Sequence, residues 1–175
     1  MVSKIALAGV AVISGILAYA STRPSTFEIE RSISIEAQPK RVYSLLTDFH
    51  GWRLWSPWEQ LDPAMTRIFA GKAKGRGAVY EWAGDARVGS VRLEILDALL
   101  DSRVVMRLDL KGPFGGGGNF AVYALERENG LTNVTWKVIG KKPYPLKLLG
   151  VFRDVDRMIA RDCERGLVNL KNVAE

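Results

Sequence analysis

Hydrophobic and polar residues alternate strictly from Phe27 to Ile35. Phe27, Ile29, Ile33 and Ile35 fall on one side, and Glu28, Glu30, Ser32 and Ser34 on the other. A period of two predicts a strand with one wet face, and Arg31 is the single charge on the apolar side. Pro39 suits the first turn of a helix. Val42, Tyr43, Leu45 and Leu46 then give that helix an apolar side, which ends near Asp48. The run Trp52-Arg-Leu-Trp55-Ser-Pro-Trp58 follows, holding three of the chain's five tryptophans, and Pro57 stops any long helix through it. From Thr66 the period of two returns in Arg67–Ala70, Ala78–Trp82, Ser90–Ala98, Arg103–Leu110, Asn119–Arg127 and Thr132–Ile139. Beyond Pro143 and Pro145 comes one long helical pattern, about Leu146 to Val173. Its stripe of Leu149, Phe152, Val155, Ile159, Cys163, Gly166, Leu167 and Leu170 keeps three-and-four spacing.

Six or seven antiparallel strands cannot leave an apolar face in water. The only large element available to cover them is the final helix. The pattern therefore predicts an α+β fold in which a curved antiparallel sheet wraps a long C-terminal helix. Incomplete packing along that helix would leave an apolar pocket, the usual form of a small-molecule site.

The first residues stand apart from this domain. Ile5 to Thr22 carry no charge, with Lys4 before them and Arg23-Pro24 after. As a helix these positions reach roughly 27 Å, close to the ~30 Å of a bilayer's hydrocarbon core. The segment reads as a retained single-pass anchor with a short linker over residues 1–25, leaving a folded domain over 26–175. The alternative is a cleaved signal, because Ala18-Tyr19-Ala20 satisfies the small-x-small rule, and a periplasmic or secreted domain would follow. Lys4 weakly favours the N-terminal side in the cytoplasm.

The formal net charge is +6, from 25 basic and 19 acidic residues. The basic residues do not form a block. Their most biased stretch, Glu128 to Asp154, carries Lys137, Lys141, Lys142, Lys147 and Arg153 with no intervening acid. A solvated face or contact with anionic lipid headgroups would account for it. No helix-turn-helix, zinc or RNA-recognition signature accompanies the charge, so nucleic acid is not an expected partner. One cysteine and one histidine leave no disulfide, no zinc cluster and no convincing Cys/His pair. Neither a metal nor a cofactor is expected, and the oligomeric state is open. Two glycine-rich loops carry no phosphate site: 115–118 lacks the Gly-Lys-Ser/Thr ending, and 71–77, with Lys72, Lys74 and Arg76, is explained by a hairpin turn.

The segments FEIERSISIEAQPKRVYSLLTDF, WSPWEQLDP, GRGAVYEW with VGSVRLEI, LTNVTW and DRMIARDCERGLVNLKNVAE stand in one order from Phe27 to Glu175. That ordered set resembles the polyketide cyclase/dehydrase and lipid-transport superfamily (the SRPBCC, or START-like helix-grip, proteins), in particular its uncharacterised bacterial members. The resemblance implies a β-α-α-β₆-α fold with an apolar cavity between the sheet and the C-terminal helix. It also implies a small hydrophobic or lipid-like ligand, bound and in some members transported, while other relatives cyclise polyketides.

Such a cavity would be lined from the apolar faces of these elements. The candidate binding residues are Trp52, Trp55, Trp58, Tyr80, Trp82, Leu93, Met106, Leu108, Tyr123 and Trp136, with Met158 and Ile159 from the helix. The tryptophan run either plugs the core or lines the cavity mouth. Asp162, Glu59 and His50 are weak candidates for acid-base chemistry, which needs groups held together in a dry cleft. No spacing forces any two of them together, so binding is expected ahead of catalysis. The rival readings are a cyclase or dehydratase acting on a hydrophobic substrate, and a non-catalytic structural or partner-binding module.

Overall fold

The computed structural model describes residues 2–112 and 115–175. Helix α1 (Val2–Thr22) precedes strand β1 (Thr26–Ile35), helix α2 (Pro39–Thr47), a 3₁₀ turn (Phe49–Leu54) and the short helix α3 (Pro57–Leu61). Strands β2 (Thr66–Gly71), β3 (Ala78–Ala83), β4 (Ser90–Leu99), β5 (Arg103–Leu110), β6 (Gly116–Glu128) and β7 (Leu131–Lys141) form the meander. Helices α4 (Tyr144–Phe152) and α5 (Val155–Ala174) complete the described elements.

The seven strands form one antiparallel sheet in the order β1-β7-β6-β5-β4-β3-β2. Strands β1 and β2 thus lie at opposite edges, so the helical segment between them must cross the sheet. This crossing is what lays the tryptophan run over the inner face. Register shifts at Ile95/Asp97 and Leu108/Leu110 mark irregularities that bend and twist the strands. The β6–β7 hairpin turns on Asn129 (φ 51°) and Gly130 (φ 87°), the left-handed pair that a two-residue hairpin requires. Gly71 is equally constrained, with a φ of 71° and no room for a Cβ, which would stand 2.1 Å from the Gly77 carbonyl oxygen. The 71–77 turn is tied back through Gly75 N–H to Thr47 O (2.9 Å) and Gly77 N–H to Ile95 O (2.8 Å).

The inner face is closed by α5, which buries Ala160, Cys163, Gly166, Leu167 and Leu170. Full burial contributes about 1.5–3 kcal/mol for each leucine. Arg31, the exception in the alternation of β1, reaches α5 and donates to Glu164 at 2.5 Å. Farther along, Lys171 donates to Ser34 O and Glu175 accepts from Glu36 N–H, clamping the helix end to the end of β1.

The long C-terminal helix is two helices, not one. Asp154 accepts from Arg157 N–H at 2.9 Å and caps α5, while Arg153 adopts an extended conformation (φ −137°). An N-cap needs non-helical backbone before it, so the chain breaks although the apolar stripe continues. Leu149 and Phe152 therefore do not belong to the gripped helix: α4 has no buried residue, and Phe152 is 69% exposed.

Gly166 lets α5 approach the sheet closely. A Cβ there would lie 2.8 Å from Trp136 Cζ3 and 3.2 Å from Pro57 Cδ. Overpacking costs about 1–3 kcal/mol, against about 1 kcal/mol gained from alanine's helix propensity. Gly166→Ala should therefore lose about 1 kcal/mol, read as a lower urea midpoint with an unchanged slope.

Candidate functional site

The candidate lining residues converge on the inner face. Six aromatic rings close a circuit there: Tyr80–Trp82 (5.3 Å between centroids), Trp82–Trp58 (5.7 Å), Trp58–Trp136 (6.0 Å), Trp136–Trp55 (6.4 Å), Trp55–Trp52 (4.7 Å) and Trp52–Tyr80 (6.4 Å). Tyr123 stacks on Trp136 at 4.9 Å and meets Trp55 edge-on at 6.5 Å. Strand pairing explains part of this, since Tyr123 faces Trp136 across β6 and β7, and Tyr80 faces Leu93 across β3 and β4. Leu93 and Met106 are buried beside them, and Leu108 and Ile159 are half-buried against the same core.

Met158 departs from the sequence expectation. It is 50% exposed, because the residues α5 turns inward are Ala160, Cys163 and Leu167, and Met158 lies off that face.

The tryptophans differ in how their polar edge is satisfied. Trp52 donates to Leu46 O (3.2 Å) and Trp55 to Leu45 O (3.3 Å), pinning the 3₁₀ turn to the end of α2. Trp82 donates to Val88 O at 3.2 Å. Trp52 and Trp55 are fully buried, whereas Trp58 is half-buried and contacts both Trp82 and Trp136. Among the described residues, two groups in this core have no hydrogen-bond partner: the Tyr123 hydroxyl and Trp136 Nε1–H. Burial raises the Tyr123 pKa well above the ordinary phenol value, and Cys163 nearby adds to that, so the hydroxyl remains a donor. Burial also pushes the Cys163 thiol up to about 12, which makes it unreactive at neutral pH.

The three acid-base candidates occupy separate surroundings. Glu59 is buried on α3 and accepts from Arg67 Nε (2.9 Å) and Nη2 (2.6 Å) and from the Tyr80 hydroxyl. Arg67 also donates to Met65 O (2.6 Å), so this buried ion pair is closely satisfied. His50 is exposed, stacks on Phe69 at 4.2 Å and lies 3.5 Å from Asp48. Asp162 sits on α5, where burial raises its pKa while Arg165, 3.9 Å away, opposes the rise. Among the described residues, no hydrogen bond or ion pair joins any two of the three.

The surface carries several clefts. One, of about 200 Å³, lies between the 3₁₀ turn and the β2–β3 hairpin and is lined by Phe49, His50, Phe69 and Lys72. Its wall leads inward, since Phe69 stacks on Tyr80 (5.0 Å) and Phe49 packs against Trp52 (5.0 Å). The Glu59–Arg67–Tyr80 link escaped the sequence reading of Arg67 and Tyr80, because it joins a helix and two strands at positions with no fixed spacing. The charge on Arg67 within an apolar-rich edge strand was the available signal.

Comparison with known proteins fixes the family. The family model described as polyketide cyclase/dehydrase and lipid transport matches residues 26–175. The chain belongs to this family. Solved structures with the same fold include the Aha1 dimer from Colwellia psychrerythraea, determined in solution. It is 18% identical with a TM-score of 0.63, over 85% of this chain and 96% of that one. Protein CV1439 from Chromobacterium violaceum is 14% identical with a TM-score of 0.60, over 87% and 99% of the two chains. The di-domain ARO/CYC StfQ of the steffimycin biosynthetic pathway is 9% identical with a TM-score of 0.64, over 86% of this chain and 51% of StfQ. No curated protein matches the sequence. The family match begins with β1 and leaves out α1, whose residues Lys4–Thr22 are long and apolar enough to cross a membrane or to act as a signal sequence.

Proposed function

We propose that residues 26–175 bind a small hydrophobic or lipid-like molecule between the inner face of the sheet and α5, and that α1 holds this domain at a membrane as a single-pass anchor. The observation that carries the binding reading is the pair of orphaned donors, Tyr123 hydroxyl and Trp136 Nε1–H, among stacked aromatic rings. An unmet buried donor costs about 1–3 kcal/mol, which a ligand oxygen accepting from it would recover. Apolar area removed from water would supply the rest, at about 25 cal/mol per Å². The family description, and the ARO/CYC protein StfQ among the structural neighbours, support a hydrophobic ligand class. The half-buried Trp58, in contact with both Trp82 and Trp136, is the ring of the circuit best placed to swing aside.

Retention of α1 is supported by its packing against the domain, where Ala20 is fully buried and Leu17 O accepts from the Tyr144 hydroxyl. A second reading is favoured by the ring-to-ring packing itself: a binding module for a partner, its interior filled by its own tryptophans.

The test is displacement of a fluorescent fatty acid from the full chain held in amphipol, with Tyr123→Phe beside the wild type. Removing the hydroxyl should weaken binding about tenfold, equivalent to 1.4 kcal/mol. The empty protein should keep or gain stability, since an unmet buried donor is gone. Equal affinity in the two proteins would refute the assignment of the site. Absence of binding in both would favour the tryptophan-filled module.

A further inference from the structure

Helix α4 has six hydrophobic residues among its nine and a single charge, Lys147, yet none of them is fully buried in the domain. Phe152 is 69% exposed and Tyr144 44% exposed. A helix apolar on every side is ordinarily covered. What lies beside α4 identifies the cover. The Tyr144 hydroxyl donates to Leu17 O (3.0 Å), Arg23 Nη2 to Gly150 O (3.3 Å) and Lys147 Nζ to Ser25 Oγ (2.8 Å). These bonds place α4 alongside residues 17–25, the level at which the apolar span gives way to charge. Tyr19, exposed like Tyr144, lies at that level too, with the Arg23 guanidinium 5.9 Å from its ring centroid. Amphipathic rings beside basic residues are the composition of a membrane–water boundary.

Charge points the same way. Arg23, Lys142, Lys147 and Arg153 line one cleft between α4 and the end of α1. Lys142 is paired with Asp156 at 2.6 Å, but among the described residues Arg23, Lys147 and Arg153 form no ion pair. Three unneutralised cations flank an apolar helix that α1 covers only in part, with Tyr144 and Phe152 left exposed.

We propose that α4 is an interfacial helix: with the last turns of α1 it forms a surface that rests in the headgroup layer of an anionic bilayer, Phe152 inserted at the acyl boundary and Arg23, Lys147 and Arg153 on lipid phosphates. The proposal rests on α1 being a retained span. Each basic residue near an anionic surface strengthens such contact by roughly fivefold.

The test uses the full chain reconstituted in phosphatidylcholine vesicles with and without phosphatidylglycerol. A nitrobenzoxadiazole probe is placed at Phe152→Cys or, separately, at Ile13→Cys; the buried thiol of Cys163 leaves the native cysteine unlabelled. Spin labels shallow and deep in the lipid chains report depth, and aqueous iodide reports exposure. The Ile13 probe should be quenched by the deep label. With phosphatidylglycerol present, the Phe152 probe should be quenched at least twofold more by the shallow label than by the deep one. Replacing Arg23, Lys147 and Arg153 together by glutamine should return it to its level in neutral vesicles.

A deep Ile13 probe with an iodide-accessible Phe152 probe would overturn the interfacial helix and leave the anchor standing. Iodide access at both positions would overturn the anchor, and this proposal with it. A Phe152 probe shielded from iodide but untouched by either lipid label would show a second protein copy on α4, which also overturns it. Equal shallow quenching in neutral and anionic vesicles would overturn the phosphate contacts.

Discussion

Replacing Glu59 by alanine should destabilise the domain by about 3–5 kcal/mol, because removing one partner of a buried ion pair strands the other. The stranded group is Arg67, whose side chain is 15% exposed and whose Nε and Nη2 both face the lost carboxylate. The Tyr80 hydroxyl loses its acceptor in the same step. For a chain of this size each kcal/mol moves the melting temperature by about 2–4 °C, so a fall on the order of 10 °C is expected by differential scanning calorimetry. Glu59→Gln keeps the shape and an acceptor for Tyr80 while removing the charge, and should lose less. A Glu59→Ala protein as stable as the wild type would show that the pair contributes no net stability. Because the carboxylate is held this closely, the variant separates structure from chemistry: folding should fail well before any binding property of the glutamine variant changes.

Trp55→Ala should be comparably damaging, at about 3–5 kcal/mol for a fully buried aromatic. Its ring touches Trp52, Tyr123 and Trp136, its Nε1–H bonds Leu45 O, and its carbonyl accepts from Asn169 Nδ2 at 3.0 Å. One residue thus joins α2, the sheet and α5. Trp58→Ala is the informative contrast. Its ring is half-buried, so truncation should cost less stability, while the fatty-acid displacement assay should register the larger change. Urea unfolding of both variants beside that assay distinguishes plug from lining. A Trp58 variant that loses stability as Trp55 does, with unchanged binding, would assign the whole cluster to the core.

The strands were legible because period two leaves a plain trace. Phe27 to Ile35 and Thr132 to Ile139 alternate as written, and the two segments pair along their length. The tryptophan run was legible as a cluster but not as two classes. Whether an indole N–H finds a carbonyl depends on backbone brought in from α2 for Trp52 and Trp55, and on its lack for Trp136. Periodicity concealed the break at Arg153, since Leu149, Phe152, Val155 and Ile159 keep helical spacing straight across it. The capping residue Asp154 was the local sign of that break. Met158 was misplaced for a related reason: two adjacent helical positions, Met158 and Ile159, cannot both face one groove, as successive residues turn by about 100°.

Only three residues, Arg23 to Ser25, separate α1 from β1. Fully extended they reach about 10 Å, and the bonds from Arg23 to Gly150 and from Lys147 to Ser25 draw even that short leash taut. With α1 in a bilayer, the domain has no radius in which to travel. On the proposed function, a lipid drawn from the leaflet beneath it would have the shortest path into the domain. Its service would be to lift and present a lipid locally, and a shuttle across an aqueous gap would need a far longer tether than this one.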